Sequence, residues 1–230
     1  MPVQGPLSWL DGEGWLVLAG GGDPETGVTD QVDMQLLSIA NLDRPMVVLL
    51  SDGNRIQAEI LLDHYTGLGG PGGEAFSLTE MTRTQLHTPR FLSLLSEAGV
   101  LCLGGVNPIP LVQNLYNSPA LQHIIQGYSS LQAMSILGLD AGAAALAQWT
   151  FGPAPDYLQA MGLGWLSNSV IVPNFTRTED SAILRQLPQV APDVLGLGIP
   201  VGTALALGPI GQVETWGSGQ VTAVINAGTS

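Results

Sequence analysis

The chain has 230 residues, 45% of them hydrophobic and 11% charged, a balance that excludes intrinsic disorder and suits one sizeable core. The net charge is −13, and all six basic residues are Arg (Arg44, Arg55, Arg83, Arg90, Arg177 and Arg185), spread along the chain without forming a patch. A polyanion would be repelled over most of such a surface, and without Lys neither a Schiff base nor a lysine-dependent phosphate loop can form.

The predicted elements follow in order. Trp15 to Ala19 reads as the first strand, closed by the turn Gly20-Gly21-Gly22, and Asp30 to Asn41 as a helix. Met46 to Leu50 is a strand, Asn54 to Tyr65 an amphipathic helix, and residues 67 to 73 a glycine-rich loop. Glu74 to Glu80 reads as a strand, Arg90 to Glu97 as helical, Val100 to Leu103 as a strand, and Pro108 to Tyr128 as one or two helices. Ala133 to Leu137 is the next strand, followed by an alanine-rich helix over 141 to 149. Beyond Ala160 come five short β runs, at Val170 to Val172, Val194 to Ile199, Thr203 to Leu207, Gln212 to Trp216 and Val221 to Ile225, interrupted by a helix over Ser181 to Leu187.

Short apolar runs alternating with amphipathic ones predict an α/β fold, a mostly parallel sheet with helices on both faces. The C-terminal third is expected to extend that same sheet with several antiparallel strands. No linker divides the chain, so residues 1 to 230 are expected to form a single domain. No apolar run approaches the roughly 18 residues of a membrane span and no secretory signal opens the chain. A soluble, cytoplasmic protein with no membrane and no nucleic-acid partner is expected. Cys102 cannot form an internal disulfide and, in an apolar run, reads as a buried packing residue, a reactive thiol being the alternative.

In open α/β sheets ligands bind beyond the carboxyl ends of the strands. Two strand ends are unusual: Gly104-Gly105-Val106-Asn107-Pro108, where glycines can aim backbone N–H groups into a cleft, and Gly138-Leu139-Asp140-Ala141-Gly142. The second has the form of a nucleophile elbow, in which small neighbours allow a sharp turn and the N–H of Ala141 serves an oxyanion hole. Asp140 also has a structural reading as the N-cap of the following helix. If its carboxylate instead fills the oxyanion site, acidic substrates are disfavoured there.

Gly14 to Gly22, Gly104-Gly105 with Asn107, Gly138 to Ala144, Met161 to Leu166, Val170 to Phe175, Gly196 to Leu207 and Gly217 to Gly219 together resemble, in order, the segments of the cyanophycinase and aspartyl dipeptidase family of serine peptidases. The resemblance implies a class I glutamine amidotransferase-like fold and cleavage of peptides next to aspartyl residues. It also implies a serine activated by a histidine. Asp140 stands at the serine position and Asn174 at the histidine position, and an amide does not titrate near neutral pH. Asp156 is a nominal third member. His64, His87 and His123 all precede the elbow and read as helix-surface or helix-end residues.

The expectation is a degenerate, catalytically inactive homologue, with a residual pocket of Gly104, Gly105, Asn107, Asp140, Ala141 and Asn174 that takes a small molecule or peptide. A hydrolase of aspartyl peptides or related amides with an altered nucleophile is the second reading. A structural subunit associating through apolar surface as a homo-oligomer is the third. No cofactor and no metal spacing is read; Gly20-Gly21-Gly22-Asp23 is taken as a tight turn, and Trp15, Trp149 and Trp165 as core.

Overall fold

Strands inside a parallel sheet are covered on both faces and read as unbroken apolar runs, because every side chain finds a helix above or below it. In the computed structural model, which describes residues 3–151, 158–177, 184–187 and 191–225, those runs form the centre of the molecule.

A short hairpin, β1 (Val3–Gln4) and β2 (Leu7–Ser8), precedes β3 (Leu16–Ala19). Then come α1 (Asp30–Ile39), β4 (Met46–Leu50), α2 (Arg55–Gly67) and β5 (Gly73–Ser77). The short helix α3 (Arg83–Leu86) leads to α4 (Pro89–Glu97), β6 (Val100–Gly104), α5 (Ile109–Leu115) and α6 (Pro119–Tyr128). Strand β7 (Ser135–Leu139) runs into α7 (Ala141–Leu146), which passes directly to β8 (Ala147–Phe151) and β9 (Leu158–Met161). The chain closes with β10 (Leu166–Pro173), β11 (Leu195–Ile199), β12 (Thr203–Leu207), β13 (Val213–Gly217) and β14 (Thr222–Val224). Residues 184–187 are helical, and the rest of the helix expected over Ser181 to Leu187 lies outside the described residues.

Helix starts follow side-chain chemistry. Asn54 and Thr82 close reciprocal capping boxes with Gln57 and Gln85, and Thr88 and Ser118 accept the free N–H groups of α4 and α6.

The main sheet has seven strands in the order β13-β12-β3-β7-β6-β4-β5, with β3, β7, β6, β4 and β5 parallel and β12 and β13 antiparallel at one edge. Its pleat sorts alternate residues to two cores. Leu16, Leu18, Val47, Leu49, Leu101 and Leu103 face α4–α7, whereas Val17, Val48, Val100 and Cys102 face α1 and α2. Cys102 is fully buried, and burial raises its pKa, so it is a packing residue with an inert thiol.

The mostly parallel sheet with antiparallel strands added from the C-terminal third is as expected, but the expectation that all the closing strands join that one sheet is corrected. Only β12 and β13 extend the main sheet; β14-β11-β10-β8-β9 form a second, five-stranded sheet in which β10 pairs parallel with both β8 and β11. The cause lies in α7. All six of its residues are buried, and it contacts β3, β6 and β7 on one side and β8 and β10 on the other. A helix apolar on every face must be covered on every face, so it needs a second sheet. The expected helix over 141 to 149 stops at Leu146 for the same reason, because Ala147 already pairs with Leu166 of the covering sheet. Small residues make this layering close: an added Cβ on Gly142 would collide with the carbonyl of Leu103, and one on Gly162 with that of Ala147. Trp165 lies in the core, whereas Trp15, half-buried, packs on Trp216 at 5.6 Å, and Trp149 is half-buried in β8.

Candidate functional site

Five strands deliver their carboxyl ends to one place. Asp140 N–H donates to the Ala19 carbonyl (3.0 Å), Asn174 N–H to that of Gly20 (2.8 Å) and Ser51 N–H to that of Gly104 (2.8 Å). These bonds stitch the ends of β7, β3, β10, β6 and β4 together. Gly21 sits between Asp140 and Asn174, and an added Cβ there would lie 3.2 Å from both Asn174 Oδ1 and Asp140 Cβ. The sequence resemblance therefore selected two residues that are 34 positions apart and meet in space.

Asp140 has φ 55° and ψ −115°, a conformation that side-chain-bearing residues rarely adopt. This is the sharp strand-to-helix turn of an elbow. The N-cap reading is corrected: α7 starts at Ala141, yet the Asp140 carboxylate makes no capping hydrogen bond. The side chain of Asp140 lies beside that of Asn174 across Gly21, close enough for the Asn174 amide to favour the charged carboxylate. Burial raises the Asp140 pKa; the Asn174 hydrogen bond opposes this, and the nearby charge of Asp52 adds to it.

The expectation that the Asp140 carboxylate fills the oxyanion site is also corrected. The Ala141 N–H donates to the carbonyl of Gly105 at 3.3 Å. Gly105, at φ 119°, turns that carbonyl towards the elbow, a conformation open to glycine. The N–H groups that follow it are not free either. Val106 N–H donates to Asp52 Oδ1 (2.8 Å) and Asn107 N–H to Asp52 Oδ2 (3.0 Å). Asn107, exposed, uses its own Oδ1 to accept from Ile109 N–H at the start of α5. Gly104 is the last residue of β6, and Ser51 Oγ, fully buried, has no hydrogen-bond partner.

Asp52 is the residue that sequence reasoning missed. It follows the β4 strand in Leu50-Ser51-Asp52-Gly53, a strand end with a polar pair and a glycine, which was the available signal. Asp156 lies outside the described residues.

The histidines sit elsewhere. His87 ends α3, and His123 is half-buried on α6 with its Nδ1 unpartnered. His64, in the last turn of α2, has Nε2 2.9 Å from Asp33 Oδ2, while Tyr65 donates to Asp33 Oδ1 at 2.6 Å. Asp30 joins them, so three groups of metal-ligating type lie within 4.8 Å, a proximity that sequence spacing did not reveal. Burial, then the charge of Asp33, raises the Tyr65 pKa well above its usual value, so the phenol keeps its proton and donates it in the hydrogen bond to Asp33. A cavity of about 580 Å³ at the outer edge of β5, lined by Arg55, Phe76, Met81, Arg90, Phe91 and Leu94 among others, includes no elbow residue.

The sequence matches no protein-family model and no curated protein. Its structure is similar to that of a peptidase from an acI-B1 actinobacterium, with a TM-score of 0.64 and 18% identity, covering 93% of this chain and 99% of that one. It is also similar to a candidate peptidase E from Listeria monocytogenes EGD-e, with a TM-score of 0.61 and 14% identity, covering 90% of this chain and 99% of that one. The chain thus has the peptidase E-like fold over most of its length, as the segment resemblance implied.

Proposed function

We propose that this chain is a non-catalytic relative of the peptidases whose fold it shares, and that it binds a small molecule or peptide at the carboxyl edge of the sheet. The observation that carries the reading is the Ala141 N–H bonded to the Gly105 carbonyl. Acyl transfer needs donors held free for a developing oxyanion, and losing one such donor costs about 10²–10³ in rate. Here the elbow donor is spent on a main-chain acceptor. Asp140 and Asn174 remove the attacking hydroxyl and the general base as well, so three separate requirements fail together.

A second reading keeps hydrolysis, with the Asp140 carboxylate as nucleophile. The strained backbone of Asp140 favours it, since strain of this kind gathers at functional sites. An ester formed there still needs a base to hydrolyse it, and Asn174 supplies none.

Purified protein incubated with a panel of aspartyl peptides and cyanophycin tests the choice. No turnover from folded protein is expected. Turnover that disappears in Asp140→Ala would establish the nucleophile reading and end the non-catalytic one.

A further inference from the structure

The non-catalytic reading leaves the ligand open, and the polarity of the site narrows it. An active elbow of this type presents hydrogen-bond donors to a negative oxygen. Here the N–H groups of Ala141, Val106 and Asn107 are consumed internally, by the Gly105 carbonyl and by the two oxygens of Asp52. Beside them stand two carboxylates and an amide oxygen that can accept. Asp140, half-buried, offers its carboxylate, and the exposed Asn174 keeps its Oδ1 as an acceptor across Gly21 from it. Asp52 adds a second negative charge close enough to act on Asp140, and no ion pair joins either carboxylate to a described basic residue.

A second observation comes from the neighbouring strand end. Ser51, next to Asp52 at the end of β4, is fully buried, and its Oγ is unpartnered against Gly105. Buried hydroxyls are nearly always bonded, so Ser51 Oγ is a buried, unpartnered polar group beside Gly105 and Asp52.

We propose that the carboxyl edge around Asp140 is a recognition site for a primary ammonium group, which Asp140 pairs with, Asn174 orients and Asp52 attracts. A compact ammonium brings three donors and one positive charge to a pocket that has acceptors and uncompensated negative charge. The same field repels a carboxylate, so the site discriminates against acidic ligands through Asp140 and Asp52 together. The proposal rests on the non-catalytic reading. Turnover in the peptide panel would remove that reading, whereas loss of ammonium preference without turnover would remove this proposal alone.

The test is a titration of ¹⁵N-labelled protein, followed by the amide shifts of Asp140, Ala141 and Asn174. The probes are n-propylammonium, its neutral counterpart propionamide and the anion propionate. Saturable shifts with n-propylammonium are expected, with binding about tenfold weaker or more for propionamide, and none with propionate. Asp140→Asn, which keeps the shape and removes the charge, is expected to reduce the ammonium affinity about tenfold. Triglycine with a free amino end, compared with its acetylated form, separates the sources of the group. Binding of the free form alone assigns a peptide N-terminus, and binding of propylammonium without triglycine assigns a free amine. Equal binding of the three small probes, or undiminished affinity in Asp140→Asn, overturns the proposal. The wild-type comparison of charges decides the matter even if the variant does not fold.

Discussion

Two aspartates, one on the helix α1 that covers the main sheet and one at the carboxyl end of its strand β7, have been treated in opposite ways. Asp33, 3% exposed, gives one carboxylate oxygen to the Tyr65 hydroxyl and the other to His64, so both acceptors are satisfied inside the protein. Asp140 sits on a strained turn with one amide partner, beside a second negative charge. Asp33 therefore reads as structure, whereas the charge of Asp140 lacks such internal satisfaction, as the proposed ammonium site requires. Burial alone does not separate the two roles; the local satisfaction of the charge does.

Removing the first group should do the most damage. Asp33→Ala leaves the Tyr65 hydroxyl and His64 without an acceptor in a closed space, and a loss of about 3 kcal/mol is expected in denaturant unfolding. A loss under about 1 kcal/mol would show that the network is dispensable and the contrast false. Asp52→Ala comes next, because it strips the 2.8 and 3.0 Å acceptors from Val106 and Asn107. It should cost about 2 kcal/mol and increase amide hydrogen exchange across residues 104–108.

The elbow should respond with the other sign. Asp140→Gly relieves a φ of 55° and forfeits no capping bond, so a gain of about 1 kcal/mol is expected by the same unfolding measurement. A loss would mean that Asp140 stabilises the fold after all. The smallest effect is on pH dependence. Since burial raises the Asp140 pKa in the folded chain, that state holds its proton more readily than the unfolded one, and stability falls as pH rises from the ordinary carboxylate value through the raised one. Stepped-pH unfolding of Asp140→Asn should show a flatter profile over that interval alone.

The chain by itself determined the strands and most of the helices, because buried parallel strands must be apolar and covering helices must be amphipathic. It also pointed to the elbow at Asp140, since the glycine and alanine around it answer a steric demand that reads directly as small residues. Only the tertiary structure decided where the closing strands go. Short apolar runs carry no mark of their partners, and the second sheet exists because α7 has no polar face to turn to water. The tertiary structure alone likewise brought Asp52 to the glycine turn and His64 to Asp33, pairs 54 and 31 residues apart. It also turned the Gly105 carbonyl onto Ala141, an orientation set by backbone torsion at a residue whose lack of a side chain leaves its torsion angles unspecified by the sequence.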